Sequence, residues 1–185
     1  LAACQSGALE AEPRVVIGNN SKSGALARGR QAGIPVYHLS GHTHPNPEAL
    51  DKAILRALQE HGATIVCLVG YMKLLGRHTL AAYRGRILNI HPALLPLFPG
   101  AHAHRDVLAA GVTESGCSAH FVDDGVDTGP VILQQAVPVL PDDNAETLAA
   151  RILPYEHRLL PEAVRLLAAG RLAIESGIVR ILPEK

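Results

Sequence analysis

The run Asn89-Ile90-His91-Pro92-Ala93-Leu94-Leu95-Pro96-Leu97-Phe98-Pro99-Gly100 limits what this chain can fold into more than any other stretch. It follows Arg86-Ile87-Leu88, an apolar segment that reads as a short buried strand. Pro92, Pro96 and Pro99 then stop both helix and ladder, because none carries the backbone N–H that either needs. An irregular loop must begin here, and the polar Asn89 and His91 stand where the strand gives out. As residues i and i+2 of extended chain, their side chains point the same way. In an open α/β sheet, ligands bind outside the carboxyl ends of strands. A carboxamide N–H and a titratable imidazole both suit an oxygen that gains charge in a transition state.

Around this stretch, apolar strands alternate with helical segments. Residues 14–18 read as a strand, Ser23 as the N-cap of a helix over 24–32, and 34–39 as a strand that Pro35 places toward an edge. An amphipathic helix is expected over 48–61, then a continuous apolar strand over 64–69 of the kind found inside a parallel sheet. A short helix is predicted over 78–84 and another over 105–110. Strands over 114–122 and 131–139 flank the acidic, turn-rich Asp123-Asp124-Gly125-Val126-Asp127-Thr128-Gly129-Pro130, and suggest an antiparallel element near one edge. Residues 142–169 read as helix broken at Pro154 and Pro161, and 171–181 as a hairpin turning at Ser176-Gly177. Alternation with short connections predicts a doubly wound α/β sheet in one domain over 1–185. The opening Leu1-Ala2-Ala3-Cys4-Gln5-Ser6-Gly7 reads as the end of a helix capped by Gly7. α/β chains ordinarily open on a strand, so a first strand and its glycine-rich turn are expected to be missing from this sequence.

Composition narrows the partners. Formal net charge is +0 at pH 7, without a long run of one sign, which argues against a nucleic-acid groove or a polybasic membrane patch. No apolar run reaches the ~18–20 residues of a membrane span. Cys4, Cys67 and Cys117 lack metal spacing and are odd in number, which points to a reducing, cytoplasmic setting; Cys67, inside an apolar strand, is expected in the core. His42 and His44 share a loop, but no third ligand stands near them.

The segment Asn89-Ile-His-Pro-Ala-Leu-Leu-Pro-x-Phe-Pro-Gly100 resembles the signature of the folate-dependent formyltransferase family, and Asp127-Thr128-Gly129-Pro130-Val131-Ile132 is similar to that family's Asp-x-Gly-Pro block. The likeness extends from Leu1 to about residue 172. It implies a Rossmann-like, doubly wound, mostly parallel sheet. It implies transfer of a formyl group from 10-formyltetrahydrofolate, as co-substrate, to the amine of glycinamide ribonucleotide in purine biosynthesis, without a metal, by a monomer or homodimer. Asn89, His91 and Asp127 are the catalytic residues it implies. The resemblance places Met72, Lys73, Leu74 and Leu75 beside the pterin through their backbone, with Asn89, Asp123, Asp124, Gly125 and Val126 as further cofactor contacts. Glu156 would meet the ribose of the nucleotide. On apolarity alone, Met72 and Leu74 could instead be core. Two positions depart from the family pattern: Leu153 stands where a Gln is usual, and Pro47 where an Arg often meets the folate tail. A cis Leu95-Pro96 bond is a further expectation of the resemblance.

On this reading, His91 as imidazolium and the Asn89 amide N–H stabilise the tetrahedral oxyanion, and Asp127 fixes the ring's tautomer and helps move the proton. Spacing alone makes neighbours only of Asn89 and His91. His102, His104 and His120 are candidates for the surrounding shell. Three rivals remain: a formyltetrahydrofolate deformylase, against which Pro92 argues because a second His is usual there; a methionyl-tRNA formyltransferase, which would need a basic carboxyl-terminal domain; and a non-catalytic folate or nucleotide binder.

Overall fold

The computed structural model describes residues 1–184. The chain divides into two compact units, one of Leu1–Val66 with Tyr71–Arg84, the other of Cys67–Gly70 with the chain from Gly85 onward.

In the first unit, α1 (Ala2–Gln5) ends at Gly7, as its sequence suggested. β1 (Val16–Gly18) pairs in parallel with β2 (Val36–His38), both shorter than the apolar runs containing them. Between them runs α2 (Gly24–Gln31), whose predicted cap is present: the Ser23 side chain accepts from Leu26 N. α3 (Pro47–Glu60) starts on Asn46, which accepts from the backbone N–H groups of Glu48 and Ala49. Pro47 fills the first helical position, where its missing N–H costs nothing. α4 (Arg77–Ala82) has no cap of its own, and a side chain from α3 supplies one. The buried Asp51 carboxylate accepts from His78 N at 2.8 Å, Thr79 N at 3.1 Å and Thr79 Oγ1 at 2.6 Å.

The second unit is built on a sheet of order β3 (Val66–Leu68), β4 (Ile87–His91), β5 (Glu114–Phe121), β6 (Val131–Pro138). Its β4–β5 and β5–β6 pairs are antiparallel, so the antiparallel element expected around the acidic loop is present. The strand predicted at 64–69 is shorter than expected and lies at the sheet's edge. That edge position explains why Cys67 is exposed, contrary to the expected core placement. α5 (Ala103–Ala109) lies between β4 and β5 in the chain.

α6 (Ala145–Ala168) is one continuous helix, not the broken one expected from Pro154 and Pro161. Each interior proline costs about 3 kcal/mol. Leu148, Ile152, Leu159, Val164 and Leu166 are buried along α6, each worth ~1.5–3 kcal/mol, and their sum exceeds the two penalties. An Asn144–Thr147 capping box starts the helix, and Asp143 pairs with Arg151, Nη2 to Oδ1 at 2.7 Å. The chain closes with β7 (Leu172–Glu175) and β8 (Ile178–Ile181), the expected hairpin. Ser176 and Gly177 both take positive φ, as a tight two-residue hairpin turn requires. No helix among the described residues is long and apolar enough to cross a membrane.

Replacing Asp51 by Ala strands two backbone donors at the start of α4, while the Thr79 hydroxyl keeps the Asp51 carbonyl oxygen at 3.3 Å. We expect a loss of roughly 1–3 kcal/mol in urea unfolding; an unchanged midpoint would show that α4 does not depend on this cap.

Candidate functional site

β4 continues through Asn89 to His91 before the prolines end it, so both side chains are held by a ladder and not by a loop. Register does the rest. Asn89 lies opposite His120, and His91 opposite Ser118. The pleat therefore gathers Asn89, His91, Ser118 and His120 on one face, and turns Leu88, Ile90, Ala119 and Phe121 to the other. At Ala119/His120 the register with β6 slips, since Ala119 faces Leu133 and His120 faces Val131. Such bulges re-aim side chains beside functional sites.

Asp127 arrives from the loop after β5. Its φ is +54°, a left-handed conformation that Asp tolerates better than most residues. Gly129 lets the loop close onto β5: a Cβ there would sit 1.8 Å from the carbonyl oxygen of Phe121. The Asp127 carboxylate lies among donors. Gly100 N donates to Oδ2 at 2.8 Å, Asn89 Nδ2 donates to Oδ1 at 3.2 Å, and His91 Nδ1 stands 3.3 Å from Oδ2. The three residues expected to converge therefore do so. The His91 ring is buried, and its Nε2 donates to the carbonyl oxygen of Phe98 at 2.8 Å. Both of its ring nitrogens thus face oxygens. Phe98 has φ +53°, and this strained turn aims its carbonyl at the imidazole.

Beneath the loop, Ser118 Oγ is a saturated hub. It donates to Ala93 O at 2.7 Å and accepts from Leu95 N at 3.0 Å and from Gln134 Nε2 at 2.8 Å. Gln134 Nε2 also donates to Leu95 O at 2.8 Å. These bonds pin the segment that carries the cis Leu95–Pro96 peptide, which is present as the resemblance implied.

Of the three histidines considered for the surrounding shell, His120 enters the site directly, with Nε2 3.0 Å from Asn89 Nδ2. Burial, helped by the neighbouring His91, holds the His104 pKa down. His102 is exposed at the N-cap of α5. In the acidic loop, Asp123 Oδ1 is engaged within the loop, accepting from Gly125 N at 3.0 Å and Thr128 Oγ1 at 2.7 Å, while Asp124 and Val126 are exposed. Glu156 is half-buried on α6, and burial raises its pKa. Burial of the Cys117 thiol pushes its pKa up to about 12, and the Glu156 charge adds to the rise. Leu153, on the same helix, is exposed. Met72 and Leu74 belong to the first unit and are 63% and 71% exposed, so neither is a core residue; Lys73 is exposed and Leu75 half-buried. Ser118 and Gln134 carried no signal in the sequence, because their task depends on cross-strand register. Among the described residues, no group of three or more His, Cys, Asp or Glu is placed to hold a metal ion.

A carboxylate beside an imidazole and a carboxamide, on a strand end in an α/β fold, is an arrangement suited to acyl- or formyl-transfer chemistry. The formyl transferase family model matches residues 1–164. The chain is 39% identical over 175 residues to the phosphoribosylglycinamide formyltransferase of Escherichia coli (strain K12), covering 95% of this chain and 82% of that protein. It is 44% identical to the trifunctional purine biosynthetic protein adenosine-3 of Drosophila pseudoobscura pseudoobscura, over 94% of this chain but only 13% of that far longer protein. The crystal structure of glycinamide ribonucleotide transformylase 1 from Symbiobacterium toebii superposes with a TM-score of 0.95 at 48% identity, covering 98% of this chain and 86% of that one. The chain belongs to the formyl transferase family, and its fold is the α/β formyltransferase fold that the sequence implied.

Replacing Ser118 by Ala leaves Leu95 N without its acceptor in a fully buried place. We expect a loss of about 1–3 kcal/mol in denaturant unfolding, with a fall in activity from the loosened loop. Unchanged stability would remove the hub role.

Proposed function

We propose that this chain transfers a formyl group from 10-formyltetrahydrofolate to the primary amine of glycinamide ribonucleotide, a step of purine biosynthesis, and that residues 1–185 serve this activity as one formyltransferase domain of the cytoplasm. The observation that carries the reading is the convergence of Asn89, His91 and Asp127 around one point at the end of β4. Kinship with the phosphoribosylglycinamide formyltransferase of Escherichia coli supports the choice of acceptor. A deformylase reading has less support: the formyltetrahydrofolate deformylase of Pseudomonas syringae pv. tomato shares 25% identity, and this chain covers 60% of it.

The amine lone pair attacks the formyl carbon, forming a C–N bond and moving the carbonyl π electrons onto oxygen. The oxyanion then collapses, restoring C=O and breaking the bond to the folate nitrogen, which takes up a proton as the new amide nitrogen loses one. No net proton is gained or lost, so the centre has only to carry a proton across and stabilise a transient charge. Asp127, acting directly or through a water, suits the first task, and the N–H groups of His91 and Asn89 suit the second. In the resting geometry these donors already face protein acceptors: His91 Nε2 faces Phe98 O, and Asn89 faces Asp127 and His120. Exchanging a protein acceptor for a neutral formyl oxygen gains little. Exchanging it for an oxyanion gains much more, so stabilisation is concentrated in the transition state. We assign the loop residues Asp123, Asp124, Gly125 and Val126 to the folate and Glu156 to the ribose.

His91→Ala and Asp127→Ala should each reduce kcat by at least ~10²–10³-fold, the usual effect of losing one such group, with circular dichroism unchanged. The assay supplies 10-formyltetrahydrofolate with glycinamide ribonucleotide or with water alone. Near-native rates in both variants would remove the assignment, and product with water alone would favour the deformylase.

A further inference from the structure

The mechanism above leaves the buried His120 without a task. His120 is 2% exposed on β5, across the ladder from Asn89. Its Nδ1 lies 2.7 Å from the carbonyl oxygen of Phe121, and a carbonyl only accepts, so Nδ1 carries a hydrogen. Its Nε2 lies 3.0 Å from Asn89 Nδ2, which only donates, so Nε2 offers its lone pair. The contacts are thus satisfied by one neutral tautomer. The Asn89 amide nitrogen has a second hydrogen, and this goes to Asp127 Oδ1 at 3.2 Å. Turning the carboxamide end for end would set its oxygen against a carboxylate oxygen and a ring lone pair, leaving two buried acceptors unpaired.

We propose that His120 is a positioning residue: the lone pair on its Nε2 selects which end of the Asn89 carboxamide faces Asp127 and the reacting oxygen. The inference deepens the proposed function, and rests on it only for the reaction in which that orientation is used. The charged and titratable groups facing His120 are Asp127, whose Oδ1 is 3.5 Å from Nε2, His91 from β4, and Asp123 from the loop after β5. Burial lowers the His120 pKa and outweighs the Phe121 hydrogen bond and the two carboxylates, which act the other way; His91 adds to the lowering. The neutral ring therefore persists at neutral pH. Protonation would place an Nε2–H against the Asn89 amide hydrogens, so the orientation is lost as pH falls below the ordinary histidine value. Stability has the same sign, because the unfolded chain takes up this proton at higher pH than the folded one.

Histidine-ring NMR on the isotope-labelled wild-type protein tests the arrangement without reference to any reaction. With the resonance assigned by its absence in His120→Gln, the ring should show a hydrogen on Nδ1 and none on Nε2 at neutral pH. Acidification should move the Asn89 side-chain amide signals together with the titration of His120. A hydrogen on Nε2 at neutral pH, or amide signals indifferent to that titration, would overturn the proposal. Kinetics test its use: His120→Leu, which offers no acceptor, should lower kcat roughly 10–10²-fold with little change in either KM, as expected of a misplaced group. His120→Gln, whose Oε1 can accept from Asn89, should recover most of that loss. A Leu variant as fast as wild type, or a Gln variant no better than Leu, would refute the role. Should the Leu variant not fold, the ring tautomer decides. An inactive wild type would sink the proposed function and leave the NMR test standing.

Discussion

One partly buried carboxylate ties the site together. Asp127 takes a hydrogen bond from a backbone N–H at Gly100 and another from a strand side chain, Asn89, and lies beside the imidazole of His91. Those groups all lie within the run Asn89–Gly100, and the anion joins that run to the loop after β5. A carboxylate can do this because it only accepts and has several lone-pair directions to offer. The cost is desolvation of a charge, which donors on more than one side offset. A strained φ at Asp127 and a glycine that admits the Phe121 carbonyl are the backbone conditions for bringing the anion there.

The scaffold beneath is arranged to keep this anion's partners still. The ladder fixes Asn89 and His91, and Ser118 with Gln134 fixes the proline loop that supplies Phe98 and Gly100. α6 runs unbroken against β4, β5 and β6, so the sheet face opposite the site is covered by apolar packing. The site is therefore held by hydrogen bonds on one face of a sheet and by hydrophobic burial on the other.

Much of this was readable from residue order alone, and the exceptions have physical causes. Asn89 and His91 were legible because i, i+2 spacing on a strand is a local rule. Asp127 was legible only through the Asp-x-Gly-Pro block, since a residue far along the chain meets His91 by tertiary structure. The hairpin at Ser176-Gly177 followed from turn chemistry. Pro154 and Pro161 misled because helix propensity is local and the apolar face of α6 outweighs it. Cys67 misled because apolarity does not say whether a strand is central or at an edge. His120 could be named but not given a task, since its partner depends on the antiparallel register of β4 and β5.

Asn89 and His91 share a face, yet they are held differently. His91 is satisfied by a carbonyl on a loop and by an acid on another loop, both outside the sheet. Asn89 is satisfied by one loop acid and by a ring fixed on the neighbouring strand. On the proposed reaction, His91 can exchange Phe98 for the substrate oxygen without breaking a bond within the sheet. Asn89 cannot turn without breaking a bond within the sheet. One donor is thus free to follow the developing charge while the other marks where that charge must form, and a centre that handles a single small formyl group needs both.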